Sequence, residues 1–228
     1  MEVRIDSLLS GAERATGSVV IIDVFRAFTA AAVVLARGAA KIVVVSSVEE
    51  ALALRSAGVG QLCMGEVRGR APSGFDLGNS PFAASQADVH GKTIIQRTSA
   101  GTQGVVAAKQ ALRLYAGALV TAKATARAIL RHTTDQITLV AMGNDGTTRA
   151  DEDELCAMHV RNLLEGRPGN PSGIRDVVLA GPRIADFHDP SKPHLHPADL
   201  EIALDIDRYD FAVRISQEEG RPVARAEL

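Results

Sequence analysis

Short, continuous apolar runs that each end in a polar or glycine-bearing loop recur along this chain: Ser18–Asp23, Lys41–Val45, Gln61–Met64, Lys92–Gln96 and Gln136–Met142. A strand with one wet face would alternate, so runs without alternation predict strands covered on both faces, as in parallel sheets. Helix formers fill the intervals. Ala30–Arg37 stops at Gly38, and a segment capped by Ser47 carries Glu49 and Glu50 in its first turn and runs through Ala57. Further helices are expected to about Ala111, from Thr121 to about His132 and from Asp151 to about Glu165; Leu114–Val120 reads as a strand and Val3–Ile5 as a short edge strand. Hydrophobic residues make up 46% of the chain but aromatics only 4%, with no Trp, so the core must be built from Ala, Val, Leu and Ile. The expected fold is α/β, a layered α/β/α arrangement on a largely parallel or mixed sheet. It should form a single domain over residues 1–228, with two similar subdomains as a variant of that plan.

Beyond Gly181 the pattern weakens. Arg167–Ser172 reads as a turn-rich linker, Asp199–Val213 as a last helix or strand at the sheet edge, and Glu218–Leu228 as a polar tail. His188, His194 and His196 with Asp186 and Asp189 match no regular metal-ligand spacing and read as surface loop. A formal net charge of −2 gives no global field for nucleic acid or an anionic membrane. No apolar run reaches spanning length and no export pattern opens the chain, so a cytoplasmic address is expected. Cys63 and Cys156, far apart, read as reduced and buried.

Gly65–Pro81 has no helical or strand period, yet holds Glu66, Asp76, Arg68, Arg70 and four glycines. Glycines let backbone N–H groups approach a ligand, arginines supply forked donors for phosphate or sulfonate, and acids hold a hard cation. Ser80 and Pro81 there suit a helix start, as cap and first helical residue. Two further strand ends carry similar chemistry: Asp23 with Arg26 and Thr29, and Arg97-Thr98-Ser99-Ala100-Gly101-Thr102. Ligands of open α/β sheets bind at such carboxyl ends. Each has a plainer role as well, since an Asp there caps a helix, Thr caps a turn, and Asp151 and Glu154 complement a helix dipole.

Three motifs together resemble a known family. Asp23-Val-Phe-Arg26-Ala-Phe-Thr, Gly65-Glu66-Val-Arg68-Gly69 with Gly74-Phe-Asp-Leu-Gly-Asn-Ser-Pro81, and Arg97-Thr-Ser-Ala-Gly-Thr102 are similar to signature stretches of the 2-phosphosulfolactate phosphatase (ComB-like) family. The likeness runs from about Val19 to Gly166 and takes in Glu152-Asp153. It implies a Mg²⁺-dependent phosphatase of the kind known from coenzyme M biosynthesis. Asp23, Glu66 and Asp76 would be catalytic and hold the metal, with Asp153 a fourth ligand; Arg26, Arg68, Asn79, Ser80, Arg97, Thr98, Gly101 and Thr102 would bind substrate. Ala100 stands where many members carry Asn, and Phe25 and Phe28 enlarge the apolar wall beside Asp23.

Residues and resemblance agree on an enzyme hydrolysing 2-phosphosulfolactate or a related small phosphorylated hydroxy acid. No strand ends in the Asp-x-Asp pair of aspartyl-phosphate phosphatases, which favours an activated water over a carboxylate nucleophile. The alternatives are a non-catalytic, metal-dependent sensor of an anionic metabolite, and a phosphatase or lyase for a different phosphorylated acid. The partner expected is a small anionic phosphorylated substrate, with neither nucleic acid nor membrane, and a homodimer stays open.

Overall fold

The computed structural model describes residues 1–228. Its strands are β1 (Glu2–Ser7), β2 (Gly17–Ile22), β3 (Lys41–Val44), β4 (Leu62–Gly65), β5 (Thr93–Arg97), β6 (Ala111–Gly117), β7 (Gln136–Ala141), β8 (Ala212–Glu218) and β9 (Arg221–Glu227). The helices are α1 (Leu8–Arg14), α2 (Ala27–Ala36), α3 (Val48–Ser56), α4 (Pro81–Gln86), α5 (Gly101–Ala107), α6 (Ala122–Leu130), α7 (Asp151–Leu164), α8 (Pro171–Leu179) and α9 (Pro197–Ala203). All nine strands join one mixed sheet in the order β1-β7-β2-β6-β8-β9-β3-β5-β4. The α/β expectation holds.

Two parallel blocks make up this sheet, β1-β7-β2-β6 on one side and β3-β5-β4 on the other. The hairpin β8–β9 lies between them, antiparallel to β6 at one edge and to β3 at the other. Three antiparallel steps in a row reverse direction, so the two blocks run opposite ways. Their strand ends nevertheless meet, since Gly101 after β5 bonds Asp23 after β2, and α2 packs against both blocks. That helix is apolar on every side, and nine of its ten residues are buried, which a helix reaches only when enclosed all round. Its cluster draws on Val19 and Ile21 of β2 and equally on Ile42, Val44 and Ile94 of the other block. On the outer faces, α6 and α7 cover β2 and β7, and α3 covers β3 and β5.

Four expectations need correction. The polar tail is β9, an interior strand, with Val223 and Ala224 buried against its neighbours. Its charged residues misled because Arg225 stays at the surface, paired with Glu218 at 2.8 Å. Glu219 and Gly220, both at positive φ, form its tight turn, a primed geometry that usually announces itself through Asn-Gly or Asp-Gly. The segment Asp199–Val213 yields α9 and the start of β8, neither at the sheet edge. The strand expected at Leu114–Val120 begins three residues earlier, since Ala111 and Arg113 are half-buried and Leu112 is exposed, which breaks the buried apolar run; Leu119–Thr121 is a 3₁₀ turn. Finally, α1 was not foreseen, and the second half of the presumed linker, Asn170–Ser172, is the cap and start of α8.

Because β9 is the only link between β8 and β3, a chain lacking residues 219–228 should lose its cooperative melt rather than a disordered tail. Circular dichroism across a thermal ramp checks this; a truncated chain that melts like the full one would contradict the strand order.

Candidate active site

The loops that follow β2, β4, β5 and β7 enclose a cavity of about 90 Å³, joined on its open side by Arg183, Phe187 and Leu195 from the segment before α9. A larger cavity of about 480 Å³ lies at the start of β6 and the β8–β9 turn, and no carboxylate lines it. Acidic and basic side chains gather only at the small one of the two.

Asp23 stands where β2 ends and is buried. Its Oδ1 accepts from the N–H of Ala27 at 3.1 Å and its Oδ2 from that of Gly101 at 2.8 Å, so one carboxylate joins the first turns of α2 and α5. The helix-cap role and the site role thus coincide in one residue. Burial raises its pKa to about 6; the Ala27 N–H opposes the rise, and the nearby Glu66 charge adds to it. Glu66 accepts from Ser99 N–H with Oε1, and from Gly69 N–H (2.6 Å) and Ser99 hydroxyl (3.0 Å) with Oε2. Both acids therefore hold loops together while facing the cavity.

Arg26 is 4% exposed and uses Nη1 alone within the protein, donating to the His194 carbonyl at 2.7 Å and the Asp199 carboxylate at 2.8 Å. Nε and Nη2 make no hydrogen bond within the protein, and the residue lines the cavity. Asn79 lines it too, with a buried Oδ1 that has no hydrogen-bond partner.

The other expected residues serve as framework. Asp76 faces away, its Oδ2 accepting from Arg55 and from Cys63 N–H, both at 2.8 Å. Asp153 sits behind the cavity wall, where it accepts from Val24 N–H at 2.7 Å and Gly143 N–H at 2.8 Å and so ties the β2 and β7 loops together. Burial, reinforced by the Asp23 charge, holds its pKa well above the usual carboxylate range. Arg68 is exposed and reaches the site only through its backbone N–H, bound to Ser99. Arg97 braces the carbonyls of Ser46 and Glu66. Thr98 and Thr102 are fully buried and bonded to one another. Ser80 caps α4 and donates to Asp199 at 2.6 Å. Gly101 contributes its N–H to Asp23, while Phe28 belongs to the core and only Phe25 forms the apolar wall, packed edge-on against Phe187.

Sequence reasoning placed Ser99 in the Arg97–Thr102 stretch without giving it a role, and it missed Arg183 and Asp199. Arg183 lines the cavity and pairs with the buried Glu152 at 2.7 Å, yet it follows Gly181-Pro182 in a stretch without period. Desolvation raises the pKa of Glu152, partly offset by Arg183. No three His, Cys, Asp or Glu side chains converge as a metal cage.

Fold and cavity define an α/β protein with carboxylates and guanidiniums gathered at helix starts, an arrangement suited to a small polyanion. The chain belongs to the 2-phosphosulpholactate phosphatase family, whose model matches residues 5–189. It is 34% identical over 236 residues to a protein of Thermus thermophilus named a probable 2-phosphosulfolactate phosphatase, covering 100% of this chain and 96% of that one. Proteins of the same name are similar to it in Bacillus subtilis, at 29% over 87% of each chain, and in Carboxydothermus hydrogenoformans, at 43% over 64% of this chain and 60% of the relative. No helix is long and apolar enough to cross a membrane.

Two predictions follow from this geometry. In metal-free protein, carboxyl NMR should place the Asp23 midpoint near 6, not near the ~3.9 of a free Asp. Since the folded state then holds the proton more tightly than the unfolded chain, Asp23 weakens stability as pH rises from about 4 to 6, and the penalty is complete above 6. At two pKa units it amounts to roughly 3 kcal/mol. A midpoint at the free value would show that the two N–H bonds outweigh burial. Gly101→Ala tests the contact itself: its Cβ would lie 2.9 Å from both Asp23 Oδ2 and Phe28 Cζ, so a loss of about 1–3 kcal/mol is expected in a denaturant melt.

Proposed function

We propose that the protein hydrolyses the phosphomonoester of a small phosphorylated hydroxy acid, 2-phosphosulfolactate being the substrate suggested by its relatives' names. The observation that carries this is the cavity itself: Asp23, Glu66 and Asp145 line the same space as Arg26 and Arg183. The two guanidiniums suit a substrate bearing a phosphate and at least one further acid, and the carboxylates suit a cation beside it.

Arg26, with donors left free, receives phosphoryl oxygens, and Arg183 receives the second acidic group. Water attacks phosphorus, the P–O bond to the hydroxy acid breaks, and the products are the hydroxy acid and inorganic phosphate. Asp23, a buried carboxylate that lines the cavity, takes the water's proton and passes it to the departing oxygen of the hydroxy acid. Phe25, Phe187 and Leu195 give the cavity its apolar wall.

Mg²⁺ suits this donor set. It commonly takes one or two carboxylates and completes its shell with water and phosphate oxygens, so the lack of a three-acid cage does not count against it. Glu66 and the unpartnered Asn79 Oδ1, beside Asp23, would hold it. When bound it would neutralise charge on the phosphoryl group and acidify the attacking water. Asp76 and Asp153 have no part in this set.

Purified protein should turn over 2-phosphosulfolactate faster than phosphoglycolate, and chelation should abolish turnover until Mg²⁺ is restored. Equal rates across a panel of phosphorylated hydroxy acids, or undiminished turnover after exhaustive chelation, would refute the respective part.

A further inference from the structure

Asp199 lies beyond the residues that match the family model, yet it is the most densely bonded carboxylate near the site. It is fully buried and belongs to the first turn of α9. Its Oδ2 accepts from Arg26 Nη1 at 2.8 Å and, more weakly, from its own helix cap at His196 N–H, 3.4 Å away. Its Oδ1 accepts from Ser80 hydroxyl at 2.6 Å and Phe82 N–H at 2.9 Å. A buried ion pair contributes little net stability, because desolvating both charges offsets their attraction. What such a pair does supply is a fixed position, and here it fixes the one guanidinium that is buried beside the cavity.

We infer that Asp199 is a positioning residue for Arg26, locking its guanidinium to the start of α4 so that the unused donors point at the substrate's phosphoryl group. The inference rests on the proposed role of Arg26. Without Asp199, Arg26 keeps only the His194 carbonyl within the protein, and its long side chain regains rotamer freedom that binding must then remove.

The test uses the full chain. Asp199→Asn keeps size but removes the charge, and it should raise KM about tenfold while changing kcat far less. His196→Ala is the control: it strips the side-chain cap of α9, which accepts from Ala198 N–H, and it should lower the melting temperature without moving KM. In an Arg26→Gln background, Asp199→Asn should add nothing further to KM. That pair removes both charges together, so it stays informative even where the single variant does not fold. Equal KM increases in Asp199→Asn and His196→Ala, an unchanged KM in Asp199→Asn, or a further rise in the Arg26→Gln background would each overturn the inference. Should the wild-type protein turn over no phosphomonoester, the proposed function fails, and Asp199 is then read by inorganic phosphate raising the melting temperature. Protection present in wild type and His196→Ala but lost in Asp199→Asn supports it; no protection of the wild type overturns it.

Discussion

Everything at the cavity hangs on one carboxylate held between two helix starts. Asp23 ends β2 in one parallel block, and its partner Gly101 follows β5 in the other. Two N–H donors and two helix dipoles favour its charge, while burial and the Glu66 charge oppose it. Burial wins, so the group sits near neutrality. The same enclosure that makes α2 a central helix is therefore what tunes the acid at its tip.

Around that contact the acids divide their labour. Glu66 and Asp153 each accept two or more backbone or hydroxyl hydrogens and thereby fix loops from different strands. A loop-borne site needs such ties, because a phosphoryl group is recognised only by donors held in place.

Much of the fold was legible in the sequence, because strands buried on both faces leave continuous apolar runs: β2, β3, β4, β5 and β7 all emerge at their expected places. The hairpin β8–β9 was not, since its interior position depends on pairing with strands distant in the chain while its own residues alternate with charge. The site was legible in part. Asp23, Arg26, Glu66 and Asn79 face one cavity, as strand ends and glycine-rich loops suggested, whereas Asp76, Arg97, Thr98 and Thr102 carry the same chemistry but spend it on framework bonds. Residue type cannot tell a ligand-facing carboxylate from one turned toward Arg55. Arg183 and Asp199 reach the site only through tertiary packing, and nothing local marks them.

The placement of β8 and β9 also bears on how the chain is made. During synthesis the two parallel blocks emerge first, each with one unpaired edge that the later hairpin will occupy. Until residues 212–227 leave the ribosome, those edges are open templates for other strands. The nascent chain thus has a long interval of vulnerability and a late, decisive closing step, and chaperone engagement should concentrate in that interval.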